Sequence, residues 1–164
     1  MVDIECVVDA KARLGEGPLW DPLAQVLWWL DIKGHRIHRF DPATGTDRTW
    51  ATPEDIGCLA VRERGGLIVA MRSGLYFFDP ESARFDAIVD PEIDLPENRF
   101  NDGKPDRQGR FWPGSMYEGD RSRPSAGLYR VDPDLSYRRM VSDITCSNGL
   151  AWSPDGRTMY HSDS

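Results

Sequence analysis

Asparagine, aspartate, arginine and lysine crowd into residues 98–112, beside glycine, proline and aromatic side chains, more tightly than anywhere else in the chain. Asn101-Asp102-Gly103 is a turn signature, because Asn and Asp tolerate left-handed backbone and Gly supplies it without steric cost. The polar run then breaks into Gly109-Arg110-Phe111-Trp112, which reads as the opening of a strand. Two amides, a guanidinium and a carboxylate at such a turn suit the gripping of a small polyhydroxylated ligand. On composition alone a plain hydrophilic hairpin connection is the simpler reading.

A polar, oxygen-bearing residue just ahead of a glycine and an apolar run recurs at Glu16, Asp55, Asn101-Asp102 and Asn148. If these openings occupy equivalent places in a repeated unit, their oxygens converge on one point. Hard oxygen ligands of that kind suit Ca²⁺, Mg²⁺ or Mn²⁺. Taken singly, Glu16 reads as a solvated loop acid and Asn148 as a turn residue before Gly149; their shared register favours the joint reading. The sequence has no Gly-x-Ser-x-Gly elbow for a metal-free nucleophile. His35 and His38, on an outer hairpin of the first unit by pattern, and His161, near a strand end, read as structural.

The elements that must position these residues are short. No stretch sustains helical periodicity. Brief apolar or alternating runs such as Val26-Leu27-Trp28-Trp29-Leu30 and Leu67-Ile68-Val69-Ala70 are bounded by Asp-Pro, Asp-Gly or Gly-Gly, which predicts an all-β protein. The runs repeat: Arg39-Phe40-Asp41-Pro42 returns as Phe77-Phe78-Asp79-Pro80 and as Arg130-Val131-Asp132-Pro133. Gly17-Pro18-Leu19-Trp20 likewise returns as Gly149-Leu150-Ala151-Trp152, with Gly57-Cys58-Leu59-Ala60 between them. Four-stranded units of about forty residues predict a β-propeller. The blades run over 14–54, 55–97 and 98–146, the third stretched by residues 118–126, and a fourth begins over 147–164. About three and a half blades leave an unpaired edge, through which self-association is an expectation.

The 164 residues hold 27 acidic against 20 basic side chains, a formal net charge of -7, which argues against a nucleic-acid or anionic-membrane partner. Residues 1–9 lack the basic start and apolar run of a signal peptide, and no segment is apolar enough to span a bilayer. Cys6, Cys58 and Cys146 are too few and too scattered for a disulfide framework or a zinc site. They predict reduced, buried thiols in a cytoplasmic protein.

Leu14-Gly15-Glu16-Gly17-Pro18-Leu19-Trp20, residues 98–112 with Gly114-Ser115-Met116 after them, and Ser147-Asn148-Gly149-Leu150-Ala151-Trp152-Ser153-Pro154-Asp155-Gly156 together resemble the senescence marker protein / gluconolactonase / regucalcin family. The resemblance runs in order and spacing from about Glu5 to the last residue. It implies a six-bladed propeller with one divalent ion in its channel (Ca²⁺, Zn²⁺, Mn²⁺ or Mg²⁺), hydrolysing a sugar lactone to the aldonic acid as a gluconolactonase does. By position it implies that Glu16 and Asn148 are metal ligands and that Asn101 is a ligand to metal or substrate. Arg99 then orients the substrate, and Asp102 supports the turn. Glu118 is a loose match to an acidic sugar-binding residue. Arg107 stands where the family usually has Pro, and Ser115 where it usually has Thr. The resemblance also implies that the aspartate completing the metal site, which serves as base, lies past Ser164, with about half of the family's length outside this chain. Whether these residues are active by themselves stays open. The competing readings are a non-catalytic calcium-binding propeller and a protein-interaction propeller, for which Ser153-Pro154-Asp155-Gly156-Arg157 is a common hairpin turn.

Overall fold

Asp-Pro pairs decide where several strands stop, because Pro has no N–H for the ladder and the preceding aspartate caps the turn. Asp21 Oδ1 accepts the Leu23 N–H at 3.0 Å, Asp41 Oδ1 that of Ala43 at 2.9 Å, and Asp79 Oδ1 that of Glu81 at 3.0 Å. In the computed structural model, which describes residues 3–119 and 123–164, turns of this kind separate strands and no helix is present among the described residues. The strands are β1 (Gly15–Asp21), β2 (Val26–Asp31), β3 (Arg36–Asp41), β4 (Thr46–Ala51), β5 (Ile56–Val61), β6 (Leu67–Met71) and β7 (Gly74–Asp79). They continue as β8 (Arg84–Val89), β9 (Asn98–Pro105), β10 (Phe111–Tyr117), β11 (Ala126–Val131), β12 (Tyr137–Ile144), β13 (Ser147–Trp152) and β14 (Met159–Asp163). Met1 and Val2, and the 120–122 part of the extension read at residues 118–126, lie outside the described residues.

Consecutive strands pair antiparallel into four sheets, β1-β2-β3-β4, β5-β6-β7-β8, β9-β10-β11-β12 and β13-β14. This is the all-β propeller that the repeats predict. The innermost strands β1, β5, β9 and β13 lie side by side. Apolar side chains fill the space between successive sheets: Leu30, Ile37 and Trp50 against Leu59, Val69 and Phe78; then Ala60, Ile68 and Leu75 against Phe100 and Phe111; then Trp112 and Leu128 against Leu150. Strand β6 is buried at every position because both its faces are covered, and β12, the outermost strand of its sheet, is exposed along nearly all its length.

Two sequence expectations are corrected. Asn101-Asp102-Gly103 is not a turn but part of β9, since Phe100 pairs with Ser115 before it, Gly103 itself pairs with Pro113, and Lys104 pairs with Trp112 after it. The chain reverses later, over residues 106–109. Cys6, expected to be buried, is exposed, because the segment ahead of β1 joins no sheet; Cys58 and Cys146 are buried, and all three thiols are free. No helix is long and apolar enough to cross a membrane.

The reversal after β9 is organised by one buried carboxylate. Asp106 accepts from the Gln108 N–H at 2.9 Å, the Arg110 N–H at 3.0 Å, Arg110 Nε at 2.5 Å and Trp112 Nε1 at 2.8 Å, with its side chain 1% exposed. Burial raises its pKa, but these donors outweigh burial and hold it below the usual carboxylate value. Asp106→Asn therefore costs about 2–4 kcal/mol of unfolding free energy near neutral pH, by urea denaturation. A folded-state pKa below the unfolded value means the stabilisation is whole above about pH 4 and is lost as pH falls through the lower folded value. The gap between wild type and Asp106→Asn should narrow in acid, and a gap that stays constant to pH 2 contradicts this account.

Candidate functional site

Each innermost strand carries one extra residue near its start. The register slips between Glu16 and Leu19 in β1, between Ile56 and Cys58 in β5, opposite Pro113 to Ser115 in β9, and between Asn148 and Ala151 in β13. Such bulges bend a strand and re-aim its side chains. Gly17 and Gly149 take φ of 59° and 61° in the first and last of them, the left-handed backbone that favours glycine. The repeated bulge turns Glu16, Asn101, Asp102 and Asn148 toward one small pocket, where Gly57 forms the contribution of the second sheet.

Within the pocket the oxygens are unequally committed. Asp102 Oδ1 accepts from the Gly103 N–H at 2.8 Å and its Oδ2 from the Gly149 N–H at 2.8 Å, so it ties the third bulge to the fourth. Asn101 Nδ2 donates to the Ser147 carbonyl at 3.1 Å, and its Oδ1 accepts from Arg99 Nη1 at 3.1 Å. The Glu16 carboxylate lines the pocket with no hydrogen-bond partner among the described residues. Asn148 donates through Nδ2 to Ser164 Oγ at 3.3 Å and keeps its Oδ1 free of described donors. Among the described residues no three His, Cys, Asp or Glu side chains gather as a metal site. The donor set is instead one carboxylate with amide oxygens, and the uncommitted Glu16 carboxylate and Asn148 Oδ1 fit a hard divalent cation.

Beside the pocket stands an ionic cluster. Arg99, its side chain 5% exposed, donates through Nη1 to the Phe100 carbonyl at 2.9 Å and through Nε to Glu118 Oε1 at 3.1 Å. Burial, opposed by Asp55, pushes its guanidinium below the usual value. Lys33, in the β2–β3 turn, and Arg72, in the β6–β7 turn, both donate to Glu118. Lys33 also donates to Asp55 Oδ2 at 2.6 Å, and His35 Nε2 lies 2.9 Å from Asp55 Oδ1. Burial raises the Asp55 pKa, but Lys33, His35 and Arg99 more than offset this and hold it below the ordinary carboxylate value. Asp55 thus faces cations and lines no part of the oxygen pocket, unlike Glu16, Asn101 and Asn148. Glu118 is likewise committed to cations, one step outward from Asn101 through Arg99.

His38 Nδ1 is 2.7 Å from Asp47 Oδ2 with its ring stacked on Trp29 at 3.7 Å, and His161 Nε2 is 2.8 Å from Ser147 Oγ. Neither lines the pocket. Lys33 and Arg72 were not singled out in the sequence. The signal was available: each follows the second strand of its unit and stands one or two residues ahead of a glycine at the approach to the third, in Lys33-Gly34 and Arg72-Ser73-Gly74.

The innermost strands of the propeller thus bring uncommitted oxygens to one pocket, beside a buried arginine. Residues 14–164 match the model of the SMP-30/gluconolactonase/LRE-like region, and the chain belongs to that family. It is 42% identical over 160 residues to 6-deoxy-6-sulfogluconolactonase of Pseudomonas putida, covering 98% of this chain and 55% of that one. It is 35% identical to regucalcin of Xenopus laevis, covering 99% and 56%. Among solved structures it resembles the calcium-binding protein regucalcin of Agrobacterium tumefaciens with a TM-score of 0.86 and 30% identity, over 93% of this chain and 51% of that one. The chain spans about half the length of the curated relatives it matches.

Proposed function

We propose that the protein hydrolyses a sugar lactone to its aldonic acid, with a divalent cation held by Glu16 and Asn148 and with Asn101 beside them. The observation that carries this reading is the recurrent bulge, which turns three oxygen-bearing residues from separate blades toward one pocket. Membership of the family and the lactonase activity named for the Pseudomonas relative support it.

When bound, the cation supplies Lewis acidity at the lactone carbonyl and lowers the pKa of water. Arg99 and Asn101, joined by their own hydrogen bond, grip ring hydroxyls and fix the carbonyl against that position. Asp102 holds the Asn148-Gly149 backbone in place. The base implied by the family resemblance lies past Ser164. The water oxygen adds to the carbonyl carbon, the ring C–O bond breaks, and the ring oxygen takes a proton. The acid product ionises at neutral pH and releases one.

That released proton is the readout. The full-length protein should acidify a weakly buffered indicator solution containing an aldonolactone, and chelation should abolish the signal until a divalent salt is restored. Turnover that survives chelation overturns the reading. So does metal bound stoichiometrically without turnover, the behaviour of the calcium-binding alternative to which the Agrobacterium relative points. We also place the protein in a reducing, cytoplasmic setting, which the three free cysteines support.

A further inference from the structure

We propose that Lys33, Arg72 and Arg99 form a subsite for an anionic substituent, a sulfonate or phosphate group, at the end of the lactone remote from its carbonyl; this rests on the lactonase reading above. Three permanent cations share two carboxylates, Asp55 and Glu118, so the cluster carries an unbalanced positive charge. Glu54 is turned to Ser73, whose N–H and Oγ donate to it at 2.9 and 2.5 Å, and Glu97, whose carbonyl accepts the Glu118 N–H, pairs through its carboxylate with Arg123 at 3.0 Å; neither forms an ion pair with the three cations among the described residues. A sugar that presents only hydroxyls needs no such excess.

The cluster also has donors to spare. Lys33 commits two of its three N–H bonds, to Asp55 and Glu118. Arg99 uses Nε and Nη1, and its Nη2 has no acceptor among the described residues. Arg72 donates through its terminal nitrogens only, leaving Nε without an acceptor among those residues. The side chains of Lys33 and Arg72 are 39% and 33% exposed, so their heads meet solvent, whereas Arg99 is closed in. An arriving oxyanion would gain charge-assisted hydrogen bonds from all three and would relieve the burial of Arg99 without having to displace Asp55 or Glu118.

The position is suitable for reading a substituent. Arg99 Nη1 bridges to Asn101 Oδ1 at 3.1 Å, which joins the cluster to the oxygen pocket. A lactone with its carbonyl toward Glu16 and Asn148 would pass its ring along Asn101 and Arg99, and its far carbon would reach Lys33 and Arg72. The opposed reading is that Lys33 and Arg72 only pin Glu118 for a hydroxyl contact.

Isothermal titration of the metal-depleted full-length protein with three acids separates the two readings. Gluconate, 6-phosphogluconate and 6-deoxy-6-sulfogluconate share their carboxylate end and differ only at the sixth carbon. At least one anionic tail should bind about tenfold or more tighter than gluconate, and the preference should shrink as salt is raised. Preference for one tail over the other identifies the anion. In Lys33→Met/Arg72→Met, which leaves only Arg99 of the three cations, the ratio of anionic to neutral affinity should fall about tenfold or towards one, and in Lys33→Arg/Arg72→Lys it should persist. If the double methionine variant does not fold, Lys33→Gln alone should cut the ratio several-fold. Equal binding of all three acids by the wild type, or a preference untouched by removing both cations, overturns the subsite. Failure of the lactonase reading shows separately, as no hydrolysis of any of the three parent lactones while the binding ratio persists.

Discussion

Asn148→Ala loses divalent-cation affinity by more than about 100-fold in the full-length protein, measured calorimetrically, while its unfolding free energy changes by less than about 1 kcal/mol. The asymmetry follows from what Asn148 touches. Its Nδ2 makes one long contact, 3.3 Å to Ser164 Oγ, and its Oδ1 accepts from none of the described residues, so little folding energy rests on the side chain. The left-handed backbone that follows is provided by Gly149, and Gly149 is anchored by Asp102 at 2.8 Å, neither of which the substitution alters. What is lost is an uncommitted oxygen of a residue that lines the same pocket as Glu16. Asn148→Asp, which keeps an oxygen there, should retain binding. A marked fall in stability with unchanged affinity would return Asn148 to the role of a turn residue.

Gly57→Ala should destabilise the protein by about 3 kcal/mol or more, read as a lowered urea midpoint, and should weaken cation binding with it. A Cβ at Gly57 would run into the Phe100 carbonyl and come within 2.6 Å of the Asn101 oxygen, both of them backbone atoms that cannot swing aside. Strands β5 and β9 would have to separate, and Asn101 would move with β9. Gly45→Ala is the control. It meets nothing within 4 Å but has a φ of +69°, so it reports the cost of left-handed backbone alone, about 1–2 kcal/mol. Equal effects at the two positions would show that the close approach of the inner strands contributes nothing.

The parts legible in sequence were the local ones. Asp-Pro turns, short apolar runs and their repetition are written within a few residues of one another, and they sufficed for an all-β propeller. The shared register of Glu16, Asn101 and Asn148 was legible for the same reason, because a repeat carries position as well as composition. Asn101-Asp102-Gly103 misled because the residues that tolerate a turn also tolerate a bulge, and only pairing with β10 distinguishes the two. Asp55 shared the register yet turned to Lys33 and His35, a choice set by charges supplied from the neighbouring blade. Lys33 and Arg72 lay in turns of different blades, far in sequence from Glu118. Their meeting depends on how sheets stand side by side, which no local pattern encodes.

The placement of the apolar cores between sheets also bears on how the chain is made. Each sheet is a meander of contiguous residues, but its apolar side chains are covered only when the following sheet arrives. A polypeptide emerging from the ribosome can close the hairpins of β1 to β4 early, yet it gains little until β5 to β8 have cleared the tunnel. Stability is thus acquired in instalments, one inter-sheet layer at a time, and the growing end always presents an unfinished greasy surface. Chaperone dependence during synthesis should rise and fall with a period of one blade.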